Sequence, residues 1–204
     1  VESLHGCEHS VIPDRIEAGT FMIAAAAIGG DVLVKNVLSE HLRMPISKLR
    51  EAGAEVTEGD SDIRVTTKSR CRSVDIETAV FPGFATDLQA PFAALLSQAD
   101  GTGIIRETIF DNRFRYVDEL RRMGADIKVE RDTAIIRGVE RLSGAPVEAA
   151  DIRAGVSLVI AGLMSEGITE VSGVYHIDRG YENLEKKMTQ LGASIKRVND
   201  ETDA

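Results

Sequence analysis

Hydrophobic positions along this chain fall into one arrangement written three times. Leu42, Ile46 and Leu49 keep helical spacing and run into Gly53-Ala54. Val117, Leu120 and Met123 do the same before Gly124-Ala125, and Leu184, Met188 and Leu191 before Gly192-Ala193. The glycines lie 71 and 68 residues apart. Upstream of each comes an apolar stretch rich in small residues and closed by glycine: FMIAAAAIGG (21–30), PFAALLSQADG (91–101) and GVSLVIAGLMSEG (155–167). These predict helices over 15–28, 87–98 and 152–165, apolar around much of their circumference and therefore buried. Short β-prone runs follow at 32–37, 103–109 and 168–174. The glycine after each amphipathic helix is a natural terminator, because it accepts the left-handed backbone that closes a helix.

After Gly-Ala the pattern changes period and predicts hairpins over 54–67 and 125–138. The third copy offers only ASIKRVND (193–200), a strand without a return strand, before ETDA. Unpaired strand N–H and C=O groups need partners. The expectation is a piece of a longer polypeptide that supplies the closing strand from elsewhere, with residues 1–11 as the other possible source. A period near 70 is too long for a solenoid, so the copies form one domain, with repeats at about 12–75, 76–145 and 146–200.

Composition narrows the function. With 204 residues, 43% of them hydrophobic, the chain can bury a substantial core. A net charge of −9, no basic run, 4% aromatics and no Trp disfavour a nucleic-acid partner. The apolar stretches are shorter than a bilayer span and interrupted by glycine, so no membrane partner is expected. Two cysteines make no disulfide framework and suit a reducing cytosol, so the expected location is cytoplasmic.

Candidate chemistry sits where the copies differ. Asp87 and Asp151 each stand at a helix start, where a carboxylate is either a cap or a functional acid. Arg113 and Arg179 occupy related crossover positions, after IFDN and YHID. Two guanidinium groups near two acids would suit an anionic substrate. Alternatively each arginine is a solvated loop residue paired with its neighbour, Asp111 or Asp178. His5, Cys7 and His9 alternate along HGCEH, but the spacing fits no zinc pattern and no fourth ligand is evident, so no metal is expected. Cys7 has no convincing base beside it. Cys71 stands between Arg70 and Arg72, which could lower its pKa, in what reads as a polar loop. No Walker loop, GxGxxG or HExxH is present.

The stretches PDRIEAGTF (13–21), PGFATDLQA (82–90), IFDNRF (109–114), LRRMGA (120–125), VERLSGAPV (139–147), ADIRAG (150–155) and YHIDRGYE (175–182) carry a resemblance. Together, in order and spacing, the sequence resembles the C-terminal half of the UDP-N-acetylglucosamine 1-carboxyvinyltransferase family of enolpyruvyl transferases. The resemblance implies an α/β (α+β) fold of the inside-out barrel type, three βαβαββ units with buried helices and outer sheets. It implies one C-terminal-type domain over 1–204, with 1–11 an interdomain segment and the N-terminal domain absent. The implied reaction moves the enolpyruvyl group of phosphoenolpyruvate to the 3′-hydroxyl of UDP-N-acetylglucosamine and releases phosphate, with no cofactor.

By the same resemblance Asp87 is the catalytic general base at the sugar hydroxyl, and the Ile109 backbone touches the nucleotide sugar. Arg179 lies on the phosphoenolpyruvate side, Asp151 is a second active-site carboxylate, and Arg113 and Arg153 are supporting charges. The family's cysteine acid and its Lys-Asn pair belong to the other domain, and neither Cys7 nor Cys71 matches that cysteine. Ile152 departs mildly from the family's leucine-like residue. Two other readings stay open: a shikimate-pathway enolpyruvyl transferase domain, and a non-catalytic binding module on the same scaffold.

Overall fold

The computed structural model describes residues 3–198. The first copy contains α1 (Arg15–Ile28), β1 (Gly30–Lys35), α2 (Arg43–Glu51), β2 (Glu55–Glu58) and β3 (Asp62–Thr67). The second contains β4 (Ile76–Glu77), α3 (Gln89–Ser97), β5 (Thr102–Arg106), α4 (Val117–Arg122), β6 (Asp126–Glu130) and β7 (Thr133–Arg137). The third contains β8 (Pro146–Glu148), α5 (Ile152–Met164), β9 (Glu170–Ser172), α6 (Tyr175–Asp178) and α7 (Leu184–Gln190). This is a mixed α/β structure.

The three long apolar stretches become α1, α3 and α5, and these helices pack against one another. Every residue of α3 is buried. Short side chains permit that convergence. A Cβ placed on Gly19 in α1 would lie 2.6 Å from Leu88, which sits just before α3; one on Gly155 would lie 2.6 Å from Ile177, so that glycine lets α6 close on α5. Between them, Phe92, Leu95, Leu96, Leu158 and Ile160 fill the interior, each worth roughly 1.5–3 kcal/mol of apolar burial.

Each amphipathic helix ends in the same way. Gly53, Gly124 and Gly192 take φ of +99°, +93° and +97°. Their N–H groups donate to Arg50, Arg121 and Thr189 carbonyls, and the following alanines donate to Leu49, Leu120 and Met188. That is the Schellman arrangement, and it satisfies the helix's last carbonyls. The residue three before each glycine also reaches across the turn. Arg50 donates to Val56 O, Arg121 to Ile127 O and Thr189 to Ile195 O, at 2.7, 3.0 and 3.3 Å.

Sheet topology shows where the copies are complete. The second copy's sheet runs β4-β5-β7-β6, with β4 parallel to β5 and the rest antiparallel. The first sheet runs β1-β3-β2 and the third only β8-β9. Among the described residues, then, the whole βαβαββ order appears in the middle copy alone.

Three expectations need correction. The predicted strand at 193–200 is irregular over 193–198, and 199–200 lie outside the described residues. The reason lies in the topology: β2 and β6 join their sheets only through the returning strands β3 and β7. No described residue returns past 193–198, so that segment has no neighbour to pair with. Residues 3–11 do not fill the place; they are exposed and carry no strand. Finally, the helix expected over 87–98 begins at Gln89, because Thr86–Leu88 form a tighter 3-10 turn. Among the described residues no helix is long and apolar enough to cross a membrane.

Candidate functional site

The 3-10 turn decides what Asp87 does. Asp14 and Asp151 are ordinary helix caps: Asp14 Oδ1 accepts from Ile16 N at 2.7 Å, and Asp151 Oδ1 accepts from Arg153 N and Ala154 N at 2.8 Å. The turn before α3 has no side-chain cap, so the Asp87 carboxylate is released from that duty. Two guanidinium groups take it instead. Arg113 Nη2 donates to Oδ1 at 2.6 Å and Arg153 Nη2 to Oδ2 at 3.1 Å. All three side chains are partly buried. Charge-assisted bonds on both oxygens fix the plane of the carboxylate.

Arg153 is itself held from a third direction. Its Nη1 donates to the Tyr181 hydroxyl at 3.3 Å, and that hydroxyl meets Thr20 Oγ1 at 2.9 Å. Thr20 belongs to the first copy, Tyr181 and Arg153 to the third, Asp87 and Arg113 to the second. One hydrogen-bonded chain therefore crosses all three. Burial disfavours the Arg153 charge, but Tyr181 and Asp87 outweigh that and raise its pKa above the ordinary arginine value. Burial likewise raises the Tyr181 phenol. Among the described residues, the buried Nε of Arg153 finds no acceptor.

The remaining sequence candidates divide. Arg113 pairs with Asp87 and not with its neighbour Asp111, so the solvated-loop alternative fails for it. Asp178 is taken by Arg197 at 3.1 Å, and among the described residues Arg179 makes no ion pair or side-chain hydrogen bond. Arg179 is exposed at the end of α6, two residues before Tyr181. Asp151 spends one oxygen on its cap and does not join the Asp87 set. A cleft of about 640 Å³ is walled by 106–112, Phe114, Arg131 and Asp132 and includes Ile109. Asp87 lies outside it.

Ile109 leads to a group the sequence reading missed. Glu107 is only 4% exposed. Its carboxylate accepts from Thr78 Oγ1 at 2.9 Å, Thr86 Oγ1 at 2.8 Å, Gln89 Nε2 at 3.1 Å, Ile109 N at 2.8 Å and Phe110 N at 3.2 Å. Burial pushes the Glu107 pKa up, but these hydrogen bonds outweigh burial and hold it below the ordinary value of 4.5. One sequence signal pointed here: in the β-prone run 103–109, Glu107 falls on the same alternating positions as Gly103 and Ile105, and all three are buried, where an acid is out of place without partners. Asp14, Thr20 and Tyr181 were also passed over. Only the fold brings Tyr181 to Thr20, 161 residues away.

Cys71 also departs from expectation. It is buried against the Ala26 carbonyl, and burial raises its pKa, so the flanking arginines do not activate it. Among the described residues no group of three or more His, Cys, Asp or Glu could hold a metal ion.

A family model described as EPSP synthase (3-phosphoshikimate 1-carboxyvinyltransferase) matches residues 1–188. The chain is 59% identical over 198 residues to UDP-N-acetylglucosamine 1-carboxyvinyltransferase 2 of Symbiobacterium thermophilum, covering 97% of this chain and 47% of that protein. It is 57% identical over 197 residues to the protein of the same name from Bacillus cereus, covering 97% and 46%. The chain thus spans about half the length of the curated relatives it matches. Among solved structures it is similar to the enolpyruvyl transferase NikO from Streptomyces tendae. The TM-score is 0.81 at 26% identity, covering 91% of this chain and 44% of that one.

Proposed function

The chain belongs to the EPSP synthase (3-phosphoshikimate 1-carboxyvinyltransferase) family, and on that premise we propose that it forms one lobe of a two-domain carboxyvinyl transferase. The proposed reaction moves the enolpyruvyl group of phosphoenolpyruvate to the 3′-hydroxyl of UDP-N-acetylglucosamine and releases phosphate. The high identity to relatives named for that nucleotide sugar supports the acceptor. The observation that carries the reading is Asp87, excused from helix capping and held between Arg113 and Arg153.

The chemistry is addition followed by elimination. The sugar hydroxyl oxygen bonds to C2 of phosphoenolpyruvate while an acid on the opposing domain protonates C3. A base then removes a proton from C3, the C2–C3 double bond re-forms and the C2–O bond to phosphate breaks, releasing phosphate. Asp87 takes the hydroxyl proton, which requires the hydroxyl within about 2.6–3.2 Å. Each Asp87 oxygen accepts one guanidinium bond and keeps a second acceptor site, so the incoming hydroxyl can bond to it with both arginines in place.

The Ile109 backbone meets the nucleotide sugar, and Arg179 faces the anionic phosphoenolpyruvate, stabilising charge through the addition. Asp151, which caps α5 through the Arg153 amide, is the second active-site carboxylate in this reading. In this reading residues 1–204 form a single C-terminal-type domain of the inside-out barrel kind. Its open sheets are completed by further polypeptide, the opposing domain supplies the rest of the cleft, and the enzyme works in the cytoplasm.

The test uses the full-length polypeptide carrying this domain. Phosphate release should require phosphoenolpyruvate and UDP-N-acetylglucosamine together, and Asp87→Asn should slow it by about 10²–10⁴-fold. Activity with shikimate 3-phosphate in place of the nucleotide sugar would favour the shikimate-pathway alternative. Retention of activity within about tenfold in Asp87→Asn would remove Asp87 from the chemistry.

A further inference from the structure

We propose that Glu107, buried beneath the rim, is a positioning residue that locks the Ile109–Phe110 turn and the Asp87 turn into one rigid unit, and so sets the sugar-nucleotide side of the cleft. The inference rests on the function proposed above.

Glu107 faces only donors. The Thr78 hydroxyl accepts from Thr108 N at 2.8 Å, so its own proton is directed at Glu107. Gln89 Oε1 accepts from the Tyr116 hydroxyl, which turns the amide nitrogen towards Glu107. Thr86 and the two backbone amides complete the cage. Five donors meet two oxygens, and three of them, the Gln89 amide nitrogen and the Ile109 and Phe110 amides, could not accept a proton from Glu107.

The donors come from separate segments. Thr78 follows β4, Thr86 opens the 3-10 turn, Gln89 begins α3, and Ile109–Phe110 leave the end of β5. Thr86 and Gln89 flank Asp87 in sequence. A single carboxylate thus fixes the backbone assigned to the nucleotide sugar and the turn that presents the acid. Glutamine has the same shape but one acceptor oxygen, and its NH₂ would face either the Gln89 amide nitrogen or the Ile109 and Phe110 amides, donor against donor. An isosteric change should therefore loosen both segments together.

Glu107→Gln in the full-length enzyme, assayed well below its own melting temperature, tests this. KM for UDP-N-acetylglucosamine should rise about tenfold or more, while KM for phosphoenolpyruvate stays within about twofold. Thr86→Val, which keeps the carboxylate and serves if Glu107→Gln fails to fold, should shift the same KM in the same direction by a smaller factor. A lower melting temperature with both KM values unchanged, or both moving together, would overturn the proposal.

Should the wild-type enzyme transfer nothing to UDP-N-acetylglucosamine, the function above falls, and the locking is read separately. Amide exchange at Ile109 and Phe110 in the ligand-free protein should then be about tenfold faster in Glu107→Gln than in wild type, with the Ala54 amide as an unaffected control. Equal exchange at Ile109 and Phe110 would overturn it.

Discussion

Arg153 on α5 donates to Asp87 at 3.1 Å across 66 residues of sequence, so a helix of the third copy holds an acid of the second. The same guanidinium reaches Tyr181. Lysine cannot make both contacts, being a point donor in place of a planar fork. Arg153→Lys should therefore lower kcat/KM in the full-length enzyme by about tenfold or more while the protein still folds. Steady-state phosphate release alongside a melting curve checks this.

Tyr181→Phe removes the hydroxyl between Thr20 and Arg153 but keeps the ring. Thr20 retains its bond to the Ile16 carbonyl, so the loss is confined to Arg153 and the contact between first and third copies. About 1 kcal/mol of stability should go, read from urea unfolding.

Acid should unfold this protein partly through Glu107. Its folded pKa lies below the ordinary 4.5, so the unfolded chain binds the proton more readily. The stability it contributes is complete above pH 4.5 and lost as pH falls through the lower, folded value. Glu107→Gln should flatten the stability profile in that acid range, as urea midpoints measured at a series of pH values will reveal.

Gly138 follows β7, where a Cβ would collide with the Ala99 carbonyl oxygen. Backbone cannot yield as a side chain can, and Gly138→Ala should cost roughly 3 kcal/mol or more. Gly19→Ala, which meets only the flexible end of Leu88, should cost roughly 1–3 kcal/mol. Paired denaturation curves of the two variants test the ranking.

Much of the scaffold was legible because its signals are local. Helical spacing and a terminating glycine act within a turn or two, so the three Gly-Ala ends and both hairpins were foreseeable at 53, 124 and 192. The extent of α1 and α5 followed from apolar runs closed by glycine, with Asp151 marking the start of α5. What escaped was set by distant partners. Asp87 and Asp151 look alike in sequence, yet a 3-10 turn frees one while the other caps its helix. Whether 193–198 becomes a strand depends on a neighbour, not on its own residues. Cys71 sits among arginines in sequence, yet tertiary packing buries it.

α3 is enclosed on every side. A helix with no solvent face has nowhere to absorb sequence drift alone: a bulkier residue in it must be matched by smaller ones in α1 or α5. Ancestral duplicates so arranged would stop diverging as independent modules and change as a set. The centre of the domain should thus vary by exchanges of volume between copies, while the rim stays free to diversify.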